Sequence, residues 1–169
     1  MRAVRISVAI VCWCLSGCFG YHIGPAKPYY LRDVHTIAVP TFKNHSLVPR
    51  IEVLVTDTVI KQLQQDGTFK IASDGNGDAT LMGDIVQIAR TPARSVRGNV
   101  LQTTEFNMTM QLKYRVVARN GSDLVASANA TGRTSFFVSS DPTTDERQAL
   151  PLATEDLATR LTTQLTEGW

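Results

Sequence analysis

The sequence predicts an α+β fold, a two-layer sandwich in which a mixed, mostly antiparallel β-sheet carries two helices packed on one face. Three observations predict it. Phe106, Met108, Met110, Leu112, Tyr114 and Val116 alternate with Asn107, Thr109, Gln111, Lys113 and Arg115, the period of two expected of a strand with one buried and one polar face. Asn120-Gly121 follows as the strongest hairpin signal in the chain and leads into Leu124, Ala126, Ala128 and Ala130, which alternate with Ser127, Asn129 and Thr131. Two further stretches place apolar residues three and four apart, as amphipathic helices do: Ile51, Val55, Val59 and Leu63, and then Leu150, Ala153, Leu157, Leu161 and Leu165.

The chain opens on a leader. Arg2 and Arg5 form a positive n-region, and Ile6 to Leu15 is an apolar run too short to span a bilayer core of ~30 Å. It ends in Leu15-Ser16-Gly17-Cys18, an aliphatic residue and two small ones before a cysteine, which resembles a bacterial lipobox. Residues 1–17 are therefore expected to be a lipoprotein signal peptide, cleaved before Cys18; an uncleaved anchor or an ordinary signal peptide cut nearby are the alternatives. Cys12 and Cys14 leave with the leader, so Cys18 is the one cysteine of the mature chain and cannot form an internal disulfide. Lipidation gives that thiol a use, and several acyl chains bind a membrane durably where one binds reversibly. Phe19 follows in place of the aspartate that retains many lipoproteins at the inner membrane, so the expected destination is the outer membrane, on its periplasmic side.

Residues 18–33 carry Gly20, Gly24, Pro25 and Pro28 among three tyrosines and read as a lipidated tether. The folded domain is expected to span residues 34–169. Its first strand is Thr36-Ile37-Ala38-Val39-Pro40, closed by a proline that cannot continue a ladder. The first helix starts at Ile51 and stops at Asp66-Gly67; its β-branched residues give weak helix propensity, so packing must hold it. Phe69 to Ala72 is a short strand, the glycine-rich segment 74–78 a turn, and Ala79 to Ala89 a longer strand. The last helix is expected to open on a capping box, Thr143-x-x-Glu146, with Pro151 either kinking it or marking its true first turn.

Composition excludes several functions. Only 19% of the 169 residues are charged, and removing the leader leaves fifteen basic against fifteen acidic residues. A neutral domain lacks the clustered positive charge that nucleic-acid binding needs. No HExxH, GxSxG or CxxC spacing occurs, no unlipidated cysteine nucleophile remains, and His22, His35 and His45 lack an accompanying carboxylate cluster. The glycines at 75 and 77 have neither the lysine nor the helix of a phosphate loop. Neither an enzyme nor a cofactor or metal site is expected.

Leu15-Ser16-Gly17-Cys18 with Gly20-Tyr21-His22-Ile23-Gly24 behind it, then Ile37-Ala38-Val39-Pro40-Thr41-Phe42-Lys43-Asn44, a helix bearing Glu52 and the terminal stretch Arg147 to Leu165, together resemble the LPS-assembly lipoprotein family LptE. The resemblance implies an outer-membrane lipoprotein that fills the lumen of an LptD-type β-barrel and helps deliver lipopolysaccharide to the outer leaflet. Pro151 and His45 depart from the pattern. Ile37 to Phe42 is also similar to the strand of curli-secretion and penicillin-binding-protein-activator lipoproteins, which would make the chain an activator or scaffold of another envelope system. Their longer domains carry more helix between strands, and the long alternating hairpin stands against them.

A ligand-contact candidate lies between the two long strands. Arg90, Arg94 and Arg97 cluster in Arg90-Thr91-Pro92-Ala93-Arg94-Ser95-Val96-Arg97-Gly98, which reads as a connecting loop. Lipid A phosphates would suit guanidinium groups, which bind them in a bidentate way. A solvated basic tip, or contacts to barrel acids, explains the same cluster. Arg115 and Arg133, on polar strand faces, are further candidates.

Overall fold

The computed structural model describes residues 27–73, 75–96 and 99–168, with the side chains of 94–96 and 99–104 left aside. The chain runs β1 (Thr36–Ala38), β2 (Lys43–Asn44), α1 (Ile51–Asp66), β3 (Lys70–Ile71), β4 (Ala79–Val96), β5 (Asn99–Ala118), β6 (Asp123–Phe137) and α2 (Pro142–Glu167). The sheet order is β3-β1-β4-β5-β6, with β2 beside β4. β1 runs parallel to β3 and β4, and β2 parallel to β4, while β4, β5 and β6 are antiparallel. This is the α+β architecture the sequence predicts, with one strand more. The expected first strand, Thr36 to Pro40, is shorter: β1 ends at Ala38, before Pro40, and the chain returns as the additional strand β2 farther along the same edge of β4.

One face of the sheet holds the core. Leu81, Ile85, Met110, Leu112 and Val116 are buried in one cluster with Val55, Val59 and Leu63 of α1 and Leu157, Leu161 and Leu165 of α2. The opposite face is bare, and Asn107, Gln111, Lys113, Arg115, Asn129 and Arg133 are exposed on it. Phe42 and Asn44, at the end of the first apolar motif, fix the entry to α1. The Phe42 N–H donates to Thr56 Oγ1 at 3.0 Å, while Asn44 Nδ2 donates to Val48 O and Glu52 Oε2 at 2.9 and 3.0 Å. α1 stops as expected: Gly67 takes a φ of 76°, and its N–H returns to Leu63 O. Leu31, inside the stretch read as tether, is fully buried in the main core, so residues 29–31 pack onto the domain as a 3-10 turn.

Several local expectations are corrected. α2 is capped by Asp141, whose carboxylate accepts from the N–H groups of Thr143 and Thr144, with Pro142 at the first helical position. Thr143 and Glu146 form no capping box, because Asp141 holds the cap position, and Glu146 is instead engaged by Arg90. α2 continues through Pro151. The Asn120-Gly121 turn is a three-residue loop: the Gly121 N–H bonds Ala118 O, the Ala118 N–H bonds Ser122 O, and Gly121 alone has a positive φ, 86°. In β6 the alternation changes phase, since Tyr114 pairs with Ala128 but Val116 with Val125. The extra residue is a bulge, which leaves Ala126 exposed and turns Val125 toward the core.

The turn before β4 is fastened to β1 by Asp78. Its carboxylate accepts from the N–H groups of His35 and Thr36 at 3.1 and 2.9 Å, and the Asp78 N–H donates to Thr36 Oγ1 at 2.9 Å. The bonds from Thr36, with that from His35, hold the Asp78 carboxyl below its usual value of 3.8. Bonds from Thr144 and Thr143 lower Asp141 likewise. A carboxyl with a depressed pKa in the folded state stabilises it above the unfolded pKa and loses that contribution as pH falls through the folded value. Urea midpoints are therefore expected to be flat near neutrality and to drop below about pH 4. Asp78→Asn should flatten that acid limb, and an unchanged limb would remove Asp78 from the account.

Candidate functional site

β4 and β5 form a hairpin far longer than its apolar pattern, and this corrects the reading of residues 90–98 as a loop. β4 continues through Pro92 to Val96, and β5 starts at Asn99. The proline is tolerated because β1 and β2 pair with β4 only as far as Ile85, so β4 is an edge beyond that point. The register then separates the three arginines. Arg90 sits opposite Met108, on the helix-bearing face, where Nη1 donates to Glu146 Oε2 at 2.6 Å and the guanidinium lies 5.9 Å from the Phe106 ring centroid. Arg94 is in β4 opposite Glu105. Arg97 and the lipidation candidate Cys18 lie outside the described residues.

The bare face gathers a different set. Thr91 pairs with Asn107, Asn107 with Ser135, and Thr109 with Arg133, so the three strands bring their polar residues side by side. Thr91, Asn107, Thr109, Arg133 and Thr134 line a cleft of about 400 Å³. One guanidinium ringed by hydroxyl and amide groups can hold an anionic, hydroxyl-rich ligand. Arg133 is fixed from behind, since its N–H donates to Asp156 Oδ2 of α2 at 2.8 Å. Arg115, on the same face, places Nη2 3.2 Å from Met82 Sδ. Alternation alone places Arg133 on the polar face; apart from its neighbour Thr134, its companions Thr91, Asn107 and Thr109 come from two other strands, and only the register brings them together.

Elsewhere, His45 Nε2 lies 3.3 Å from Asp84 Oδ1, and His35 Nδ1 lies 3.2 Å from Asp33 O. Among the described residues no three His, Cys, Asp or Glu side chains are grouped to hold a metal ion, and no helix is long and apolar enough to cross a membrane.

The sequence model of the lipopolysaccharide-assembly family LptE matches residues 34–165, from just before β1 to the last turn of α2. The chain belongs to the LptE family. LptE proteins are non-catalytic envelope lipoproteins of lipopolysaccharide assembly, and this chain has their fold. No curated protein matches the sequence. Among solved structures, protein XCC0632 from Xanthomonas campestris is similar at a TM-score of 0.52 and 15% identity, over 86% of this chain and 90% of that one. A minor lipoprotein from Acinetobacter baumannii has a TM-score of 0.49 and 15% identity, over 79% and 93%. PelC from Paraburkholderia phytofirmans, a dodecamer, has a TM-score of 0.49 and 13% identity, over 78% and 89%. At such identities a likeness bears on fold alone.

Proposed function

We propose that this LptE chain is anchored in the outer membrane through lipid on Cys18, plugs and helps assemble an LptD-type β-barrel, and takes part in lipopolysaccharide transport to the outer leaflet. The family match over residues 34–165 carries the reading. The bare sheet face supports it, because a plug inside a polar barrel lumen needs a compact domain whose exposed surface hydrogen-bonds without a large charge. Asn107, Gln111 and Asn129 supply that surface, with Lys113, Arg115 and Arg133 as its cations.

In this reading lipopolysaccharide phosphates meet the arginines of the β4–β5 hairpin and Arg133. The double change of Arg94 and Arg97 to Glu, and Arg133→Glu alone, should each weaken lipopolysaccharide binding about ten-fold or more, since a hydrogen bond to a charged group contributes ~1.5–3 kcal/mol. Raising salt should weaken wild-type binding as well. Arg133 is exposed on the bare face, off the apolar core, so the thermal transition of Arg133→Glu should stay close to wild type. Folded variants that bind lipopolysaccharide as wild type does would remove these arginines from the site.

The anchor has its own test. Intact-mass analysis of detergent-extracted protein should show a chain beginning at Cys18 and carrying added acyl mass, and Cys18→Ser should release or misprocess it. A retained leader, or a mature chain without lipid, would end the anchor proposal.

A further inference from the structure

The start of α2 differs from the rest of the helix. From Ala153 onward each turn buries two residues, Leu157 with Ala158 and Leu161 with Thr162 among them, whereas from Pro142 to Leu150 only Ala149 is buried, with Asp145, Glu146 and Leu150 half-buried. The two parts meet at Pro151, which has no N–H to offer the Arg147 carbonyl and so removes one rung of the helical ladder. Beneath this junction Met108, Ala149 and Ala153 form a small apolar cluster, flanked by Ile88, Leu150 and Phe136 and separate from the main core. Phe136 stacks on Phe106 at 6.0 Å. Glu146 is tied to the sheet by its ion pair with Arg90, both side chains partly in water, and Asp145 accepts from the Ser139 N–H, just past β6, at 2.6 Å. Such an ion pair holds its partners together only a few-fold.

We propose that residues 142–150 of α2 are a flap hinged at Pro151 and latched by Arg90–Glu146. A phosphate group that takes Arg90 from Glu146 releases it. A guanidinium binds phosphate through two parallel hydrogen bonds, and phosphate brings more charge than one carboxylate, so the exchange is favourable in its chemistry. Release uncovers Met108 and the Phe106–Phe136 pair beside the captured phosphate, an arrangement suited to a phosphate-bearing lipid. Arg90 thereby acts on the inner face of the hairpin, as a latch separate from the Arg133 cleft. The inference rests on the lipopolysaccharide reading for the source of the phosphate alone.

Hydrogen exchange read by mass spectrometry on the full chain tests it. In wild type, residues 142–150 should exchange faster than residues 153–165. Glu146→Gln and Glu146→Ala should each speed exchange in 142–150 about two- to five-fold and leave 153–165 unchanged. Pro151→Ala, which restores the missing donor, should slow it. No change in either Glu146 variant, or a rise spread over all of α2, would overturn the latch. Two ligand arms follow, lipopolysaccharide and inorganic phosphate, each against chloride at matched ionic strength. Opening by both makes the phosphate group sufficient, and opening by lipopolysaccharide alone makes the lipid the source. Opening by phosphate alone keeps the latch and removes its lipid ligand. Opening by neither, or an equal response in Arg90→Ala, would overturn the exchange. The Glu146 variants act with no lipid or barrel present, so their result stands apart from the transport reading.

Discussion

Gly132→Val is expected to destabilise the domain by ~3 kcal/mol or more, beyond the usual range of overpacked cores. Gly132 lies in β6 where α2 crosses closest, and a Cβ there would collide with the Ala153 carbonyl oxygen and come within 2.5 Å of Leu157 Cβ and 2.8 Å of Leu157 N. Two of those atoms are helix backbone, so no rotamer change relieves the contact. α2 would have to lift from the strand, and with it Leu157 and Leu161, both fully buried. Thermal and urea unfolding should show a transition shifted far down or no cooperative transition. A transition like that of wild type would mean that α2 does not pack where the structure places it.

Met110→Ala is expected to cost ~2–5 kcal/mol, the range for emptying a fully enclosed methionine site. Met110 is 0% exposed in the middle of β5, and Thr154 Oγ1 of α2 lies 3.9 Å from its sulfur. Its chain neighbour Gln111 points to the bare face, so Gln111→Ala should change the urea midpoint little. A near-zero loss for Met110→Ala would mean that the two faces of the sheet are exchanged.

Both predictions concern packing, and packing was unevenly legible in the sequence. Ile51, Val55, Val59 and Leu63 show as a helical stripe because burial of one side imposes a period of 3.6, and all four are buried. Met108 to Val116 show as a strand for the matching reason. Past Ala89 the period disappears, since much of the long hairpin extends beyond the main core and its strands are held by backbone pairing that any side chain permits. Pro92 and Gly98 then read as loop punctuation. The phase change in β6 was hidden because a bulge is a relation between two strands and leaves no mark on either alone.

The candidate site was legible in part for the same reason. Arginines between two strands are visible as a cluster in sequence, yet a strand sends neighbours to opposite faces, so Arg90 joins Glu146 under α2 while Thr91 joins the cleft on the other side. Glu146 shows the converse. Its spacing from Thr143 fits a cap, but Asp141 is nearer the helix start and takes that role, which leaves the Glu146 carboxylate for Arg90.

Copurification is the most direct test of the central claim, that this LptE chain plugs a barrel. The full chain carrying an affinity tag on the mature domain is expressed in its own envelope, extracted in mild detergent, and its partners are identified by mass spectrometry. The account predicts one LptD-type outer-membrane β-barrel recovered in near-equal amount. Introducing bulky charged side chains on the bare face, as in Asn107→Arg and Gln111→Arg together, should abolish that recovery while the domain stays folded. Recovery of a secretion or cell-wall complex in place of the barrel, or of the folded chain alone, would contradict it.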